Sequence, residues 1–296
     1  MSSSPPKPAL PALLIARAVT AALEEDLGLS GDLTTVATIT PDAKASGLLA
    51  TRKGGVISGL DVARAAFLAL DNGAVFEPRV ADGDLVAART TVARISGNAR
   101  ALLTAERVAL NFLGRLSGIA TFTRLYADAV GGTKAAIVDT RKTTPGLRAF
   151  EKYAVRCGGG HSHRFGLFDA ILIKDNHIVA AGGISTAIER ARAFAGHMVK
   201  IEVEVDSLDG LEIALKHKID AVLLDNMKLD QLRAAVKLVE GRVVTEASGN
   251  VNLDTVRSIA ETGVDLISVG ALTHSAPVLD LGLDFENVAP AARKTR

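Results

Sequence analysis

The residue types best suited to chemistry fall into two groups of opposite charge. In Ile201-Glu202-Val203-Glu204-Val205-Asp206, acidic and branched apolar residues alternate, which is the period-2 pattern of a strand with Glu202, Glu204 and Asp206 on one face. Where helices cover the opposite face, the acids point inward. A carboxylate buried there is costly unless a cation or hydrogen bonds compensate it. Asp225 ends the next apolar run and joins Glu204 as a candidate pair for a hard divalent cation such as Mg2+. The alternatives are a salt bridge at the rim for Glu202 or Glu204 and a helix N-cap for Asp225.

The cationic group runs through Arg141-Lys142, Arg148, Lys152, Arg156, His161, His163, Arg164 and Lys174. Arg148 and Lys152 fall in a predicted surface helix and are assigned to its solvated face. Lys174 directly follows Ile171-Leu172-Ile173 and precedes Asp175-Asn176-His177, so its ammonium is expected at the end of a strand. It can form a Schiff base or hold an anion; the guanidinium forks of Arg141 and Arg164 favour the anion, and a carboxylate in particular. Gly158-Gly-Gly-His-Ser-His-Arg164 reads as a loop, either a plain turn or a wrap for an anionic substrate. Ser248-Gly249-Asn250 and Gly270-Ala271 follow other apolar runs, where bare amides and a helix start can cradle phosphate. His274 is either a phosphate donor or a rim histidine.

These residues need a scaffold that brings strand ends together. Apolar runs at Ala135–Val138, Ala170–Ile173, Ile201–Val205, Ala221–Leu224, Val243–Thr245 and Leu266–Val269 each end in polar residues, and the last four begin 20 to 23 residues apart. That spacing fits one strand, one helix and two short loops per unit. Repetition without a G-x-G-x-x-G turn favours a TIM-like barrel, whose chemistry sits at the carboxyl ends of its strands. Before this array the order is mixed. Helices are predicted at Leu13–Asp26 and near Asp61–Leu70, strands at Gly47–Thr51, Val56–Ser58, Val75–Val80 and Leu85–Ile95, and a loop over Gly31–Thr35. Asn98 is an N-cap candidate for a long helix from Ala99 to about Ala129, on which Arg107, Asn111 and Arg115 form a polar stripe beside Gly114 and Gly118.

Composition narrows the class. The 296 residues match either about two domains or one large barrel with an attachment. Apolar residues at 48% and charged residues at 23% fit a globular enzyme rather than a disordered chain. With 34 Lys+Arg against 33 Asp+Glu there is no global basic field to hold nucleic acid, and aromatics at 4% make a poor stacking platform. No run approaches the roughly 18 apolar residues of a membrane span. Cys157 is the single cysteine, so a reducing, cytoplasmic setting is expected.

Taken in order, the quoted segments resemble the quinolinate phosphoribosyltransferase family. The likeness rests on Glu106-Arg107, Ser117-Gly118-Ile119-Ala120-Thr121, Asp139–Gly146, Lys152–His161, His163-Arg164, Lys174–His177, Glu202-Val203-Glu204, Leu224-Asp225-Asn226, Ser248-Gly249 and Val269–His274, and runs from about Glu25 to Leu283. It implies an α/β protein with an N-terminal α/β sandwich domain (1–117), an incomplete TIM-like α/β barrel (118–275) and a C-terminal segment (276–296) that packs back on the first domain. The implied reaction converts quinolinate and 5-phosphoribosyl 1-pyrophosphate, with Mg2+, into nicotinate mononucleotide, pyrophosphate and CO2 in NAD synthesis. By resemblance, Thr140, Arg141, His163, Arg164 and Lys174 surround the quinolinate carboxylates, with Arg107 supplied by a neighbouring subunit of at least a dimer. Lys142 meets the pyrophosphate, Glu204 and Asp225 meet the ribose hydroxyls and Mg2+, and Ser248, Gly249, Asn250, Gly270, Ala271 and His274 meet the phosphoribosyl group. Lys142, Lys174, Glu204 and Asp225 carry the catalytic roles. Rival expectations are a transferase for another base, a Schiff-base lyase using Lys174, and a nucleotide-binding sensor without turnover.

Overall fold

The computed structural model describes residues 9–286. The described chain divides into two units, one up to Thr121 and again from Pro277, the other Phe122–Ala276. The first contains helix α1 (Ala12–Leu27), helix α2 (Leu33–Thr38), strands β1 (Lys44–Thr51) and β2 (Gly55–Val56), helix α3 (Leu60–Leu70), strands β3 (Val75–Pro78), β4 (Leu85–Val86) and β5 (Thr91–Asn98), and most of helix α4 (Ala99–Ala129). The second contains β6 (Ala136–Val138), α5 (Arg148–Cys157), β7 (Ile171–Ile173), α6 (Asp175–Ala181), α7 (Ile184–Phe194), β8 (Ile201–Val205), α8 (Leu208–Ala214), β9 (Ala221–Asp225), α9 (Leu229–Val239), β10 (Val244–Ser248), α10 (Val256–Ala260), β11 (Leu266–Ser268) and α11 (Ala271–His274). The final strand, β12 (Leu281–Phe285), returns to the first unit.

In the first unit an antiparallel sheet runs in the order β12-β1-β5-β3, with β2 and β4 forming a separate pair. Alternation along β1 buries every second residue, ending on Leu49 and Thr51, and α1 presents Ile15, Val19 and Leu23 at i, i+4, i+8 to the core. Two local features differ from the sequence pattern. Gly31–Thr35 is not a loop throughout: the Asp32 carboxylate accepts the Thr35 amide at 2.9 Å, and this cap starts α2 at Leu33. The predicted Leu85–Ile95 strand is two strands, because Arg89 adopts φ +64 between β4 and β5. Asn98 does cap α4, its side-chain oxygen accepting from the Ala101 amide at 3.2 Å. Further along α4, Ser117 and Thr121 accept hydrogen bonds from the amides of Ser58 and Val56 at 2.9 and 2.8 Å. Gly118 is required there, since a Cβ would lie 2.0 Å from the Pro277 carbonyl oxygen.

The second unit holds six parallel strands in the order β6-β11-β10-β9-β8-β7, an open βα array of the incomplete-barrel kind. Ile201, Val203, Val222, Leu224, Ala247 and Ile267 are buried, with helices α7 to α10 packing against one another and on the strands. The Gly158–Arg164 stretch is more than a loop. His161 makes a parallel bridge to Val138, donating its amide to the Ile137 carbonyl at 2.8 Å while its own carbonyl accepts from Asp139 at 3.1 Å, which extends the sheet past the free edge of β6. Among the described residues no helix is long and apolar enough to cross a membrane.

Candidate active site

A parallel array aims the residue after each strand at one end of the sheet. Here those ends bound a cavity of about 870 Å³. Fourteen of the fifteen residues singled out from the sequence line it: Thr140, Arg141, Lys142, His163, Arg164, Lys174, Glu204, Asp225, Ser248, Gly249, Asn250, Gly270, Ala271 and His274. Arg107 does not; it is exposed on the part of α4 that belongs to the first unit.

One wall is acidic and glycine-rich. Glu204 ends the inward face of β8 and ion-pairs through Oε2 with Lys174 Nζ at 3.0 Å. Asp225 closes β9, and its Oδ2 accepts from the Asn226 side-chain amide at 2.7 Å. Asn226 in turn accepts through Oδ1 from the Asn250 amide group at 3.1 Å, which ties the turn after β9 to the turn after β10. Gly249 between them sits at φ +95, and a Cβ there would approach Asn226 Oδ1 to 2.2 Å; only glycine fits. On the β6 side, Lys142 is fixed by its main chain: its amide donates to Thr140 Oγ1 at 3.0 Å and its carbonyl accepts from the buried Thr273 hydroxyl at 2.7 Å.

The other wall is cationic. Burial, and then the charge of Arg141, hold the Arg164 guanidinium below its ordinary pKa; both guanidinium groups line the cavity, and no carboxylate is hydrogen-bonded to either among the described residues. Arg164 is partly held by the Ala170 carbonyl at 3.3 Å. Two partly buried like charges of this kind are relieved by an anion bound between them.

Buried charged groups that the sequence does not reveal lie next to these lining residues in the fold. Lys152 is not on a solvated face: it is 2% exposed and ion-pairs with Asp139, which is fully buried. Helix α5 turns it inward because Asp139, at the end of β6, supplies the counter-charge. Burial pushes the Asp139 carboxyl up and the Lys152 ammonium down, each resisted by the other's charge. Glu246 lies within β10 rather than after it; it is 1% exposed and lines the cavity. His163 Nε2 lies 2.9 Å from Glu202 Oε2 and 3.5 Å from Glu246 Oε2, while Nδ1 accepts the Arg164 amide at 2.7 Å. Burial opposes charge on this ring, but the hydrogen bond to Glu202 and the fields of both acids outweigh it and raise its pKa. The Arg164 amide pulls the other way, because Nδ1 accepts that bond only while it carries no proton. Glu246 is pushed up to about 7, first by burial and then by the Glu202 charge. Of the three acids expected to point inward, Glu202 is buried and Glu204 half-buried, whereas Asp206, just past the end of β8, is exposed.

Two groups of residues offer metal ligands. His163, Glu202 and Glu246 bring one imidazole nitrogen and two carboxylate oxygens within 4.8 Å of one another, but that nitrogen is already hydrogen-bonded to Glu202 and lies within ion-pair distance of Glu246. Glu204 and Asp225 offer only oxygen donors at the mouth of the same cavity, the donor set that suits a hard ion such as Mg2+. Lys174 lacks the dry surroundings that activate a Schiff-base lysine: its side chain is 48% exposed and ion-paired.

Comparison with known proteins accounts for this assembly. The model of the quinolinate phosphoribosyl transferase C-terminal domain matches residues 119–284 and that of the N-terminal domain residues 32–117. The chain is 46% identical over 272 residues to the nicotinate-nucleotide pyrophosphorylase [carboxylating] of Mycobacterium leprae, covering 89% of this chain and 94% of that protein. It is 43% identical over 260 residues to the probable nicotinate-nucleotide pyrophosphorylase [carboxylating] of Bacillus subtilis, covering 88% and 89%. Among solved structures, NadC from Streptococcus pyogenes superposes with a TM-score of 0.90 at 43% identity, covering 95% of this chain and all of that one. With both domain models matched in order and the likeness running through every strand end that lines the cavity, the chain belongs to the quinolinate phosphoribosyltransferase family.

Proposed function

We propose that the cavity transfers the phosphoribosyl group of 5-phosphoribosyl 1-pyrophosphate to quinolinate and decarboxylates the product, giving nicotinate mononucleotide, pyrophosphate and CO2 for NAD synthesis. The observation that carries this reading is that one cavity is lined both by the cations Arg141, Arg164 and Lys174 and by the acids Glu204 and Asp225. A dianionic ring suits the cations and a metal-bound sugar phosphate the acids. Thr140, Arg141, His163, Arg164 and Lys174 hold the two carboxylates; Lys142 holds the leaving pyrophosphate; Ser248, Gly249, Asn250, Gly270, Ala271 and His274 hold the phosphoribosyl group. Glu204 and Asp225 hold the ribose hydroxyls and Mg2+, which supplies charge neutralisation at the diphosphate when bound.

The pyridine nitrogen attacks the anomeric carbon as pyrophosphate leaves, through a transition state with oxocarbenium character. No protein nucleophile is needed. Glu204 and Asp225 stabilise the positive charge that develops on the ribose, and Lys142 the negative charge on the leaving oxygen. Holding both substrates in one cavity supplies much of the remaining acceleration. The adjacent carboxylate then departs as CO2, leaving its electron pair on the ring carbon next to the alkylated, positively charged nitrogen, which stabilises it until a proton from solvent is added at that carbon. Arg107 completes the carboxylate clamp from the neighbouring subunit of a homodimer, and the protein works in the cytoplasm, a reading supported by its single, buried Cys157.

The test is an assay with quinolinate, nicotinate and nicotinamide, each with 5-phosphoribosyl 1-pyrophosphate and Mg2+, following mononucleotide formation and CO2. Turnover of quinolinate alone, with stoichiometric CO2, is expected. Equal or faster turnover of nicotinate would assign the chain to a different base.

A further inference from the structure

The buried Asp139–Lys152 pair is unusual in what it touches. Asp139 Oδ1 accepts the Lys152 ammonium and also the His163 amide at 2.9 Å. Lys152 Nζ donates in addition to the His163 carbonyl at 3.1 Å. One carboxylate and one ammonium thus hold both main-chain polar groups of a single residue. Buried ion pairs are seldom the most stable choice for their volume, and this one is not fully satisfied, since Asp139 Oδ2 is buried without a hydrogen bond. Stability alone therefore gives a poor reason for its presence. Its position gives a better one. Asp139 is the residue before Thr140-Arg141-Lys142, and His163 is the residue before Arg164, so the pair joins the two chain segments that carry the crowded guanidinium groups.

We propose that Asp139 and Lys152 are positioning residues for the aromatic dicarboxylate: by clamping the His163 main chain they preset Arg164 and the His163 ring against Arg141 before substrate arrives. This rests on the proposed reaction and adds that the cationic wall is built in advance, not assembled by the ligand. The consequence is selective. A displaced clamp weakens recognition of the pyridine dicarboxylate and spares the phosphoribosyl side, because the ribose and phosphate contacts lie on other strands and Lys142 is held separately through its main chain by Thr140 and Thr273.

The test is the full-length Asp139→Asn/Lys152→Met double variant, which leaves no uncompensated charge in the core, beside the Lys152→Met single variant. The quinolinate KM of the folded double variant is expected to rise about 10- to 100-fold, the loss typical of a misplaced reactant, while the KM for 5-phosphoribosyl 1-pyrophosphate moves less than about threefold. Unchanged constants, or equal rises in both, would overturn the proposal. A second measurement needs no variant. Amide exchange over residues 161–164 of the wild-type protein is expected to be already slow without ligand, with little added protection from quinolinate, and protection that appears only with quinolinate would overturn it. Failure of the wild-type protein to turn over quinolinate is a separate result and refutes the proposed reaction instead.

Discussion

Glu246 offers a prediction whose size follows from its burial. Its pKa is pushed from an ordinary 4.5 to about 7 because the 1%-exposed carboxyl pays desolvation and faces the Glu202 charge. A raised carboxyl pKa means that the native state favours the proton. Glu246 therefore costs nothing below its unfolded pKa, costs progressively more as pH rises from 4.5 towards 7, and costs a constant amount above that. The full penalty is about 3 kcal/mol, most of which accrues between pH 5 and pH 8. Glu246→Gln abolishes this titration while keeping a similar shape. The stability of the variant relative to wild type should thus rise by about 2 to 3 kcal/mol from pH 5 to pH 8, whatever its pH-independent offset. Urea denaturation of both proteins at closely spaced pH values measures the difference directly. A difference that stays constant within about 0.5 kcal/mol, or that falls with pH, would refute the assignment of Glu246 as the group held protonated near neutrality.

Other expectations separate the two walls of the cavity. Arg141→Ala removes charged hydrogen bonds worth about 1.5–3 kcal/mol, so the quinolinate KM should rise roughly 10- to 150-fold while that for 5-phosphoribosyl 1-pyrophosphate is little changed; steady-state kinetics with each substrate varied decides it. Gly249→Ala forces a Cβ into Asn226 at a left-handed backbone position, at a cost of about 1–3 kcal/mol. Its expected signature is the opposite one, a raised KM for 5-phosphoribosyl 1-pyrophosphate with quinolinate binding retained. Arg107→Ala mixed with Glu204→Gln, both inactive alone, should recover part of the lost turnover if Arg107 serves a neighbouring subunit; no recovery on mixing and subunit exchange would remove Arg107 from the site.

The sequence displayed the charged residues at the strand ends more clearly than the buried charges beside them. Arg141, Lys174, Glu204 and Asp225 follow or end apolar runs, and a parallel array gathers such positions by its geometry. Glu246 was hidden because the apolar run stops at Thr245, while the strand continues to Ser248 by pairing with β9 and β11. Lys152 looked like one charge among Arg148, Lys152 and Arg156; what buries it is Asp139, thirteen residues away, and no local periodicity encodes that partner. His161 joins the sheet through the edge of β6, so a glycine-rich stretch gains its shape from tertiary hydrogen bonds. Asp139 follows the apolar end of β6 and Glu246 sits in a strand of mixed Val-Thr-Glu-Ala-Ser, so neither stands out locally as a buried acid.

The proposed chemistry requires one cavity to receive both substrates side by side. The structure of the protein crystallised with quinolinate and an unreactive analogue of 5-phosphoribosyl 1-pyrophosphate in the presence of Mg2+ tests it most directly. The expected result is the pyridine carboxylates between Arg141, Arg164 and Lys174, with the sugar between Glu204 and Asp225 and its phosphate against the Gly249 and Gly270 turns. Quinolinate bound elsewhere, or excluded from this cavity while the analogue occupies the cationic wall, would contradict it.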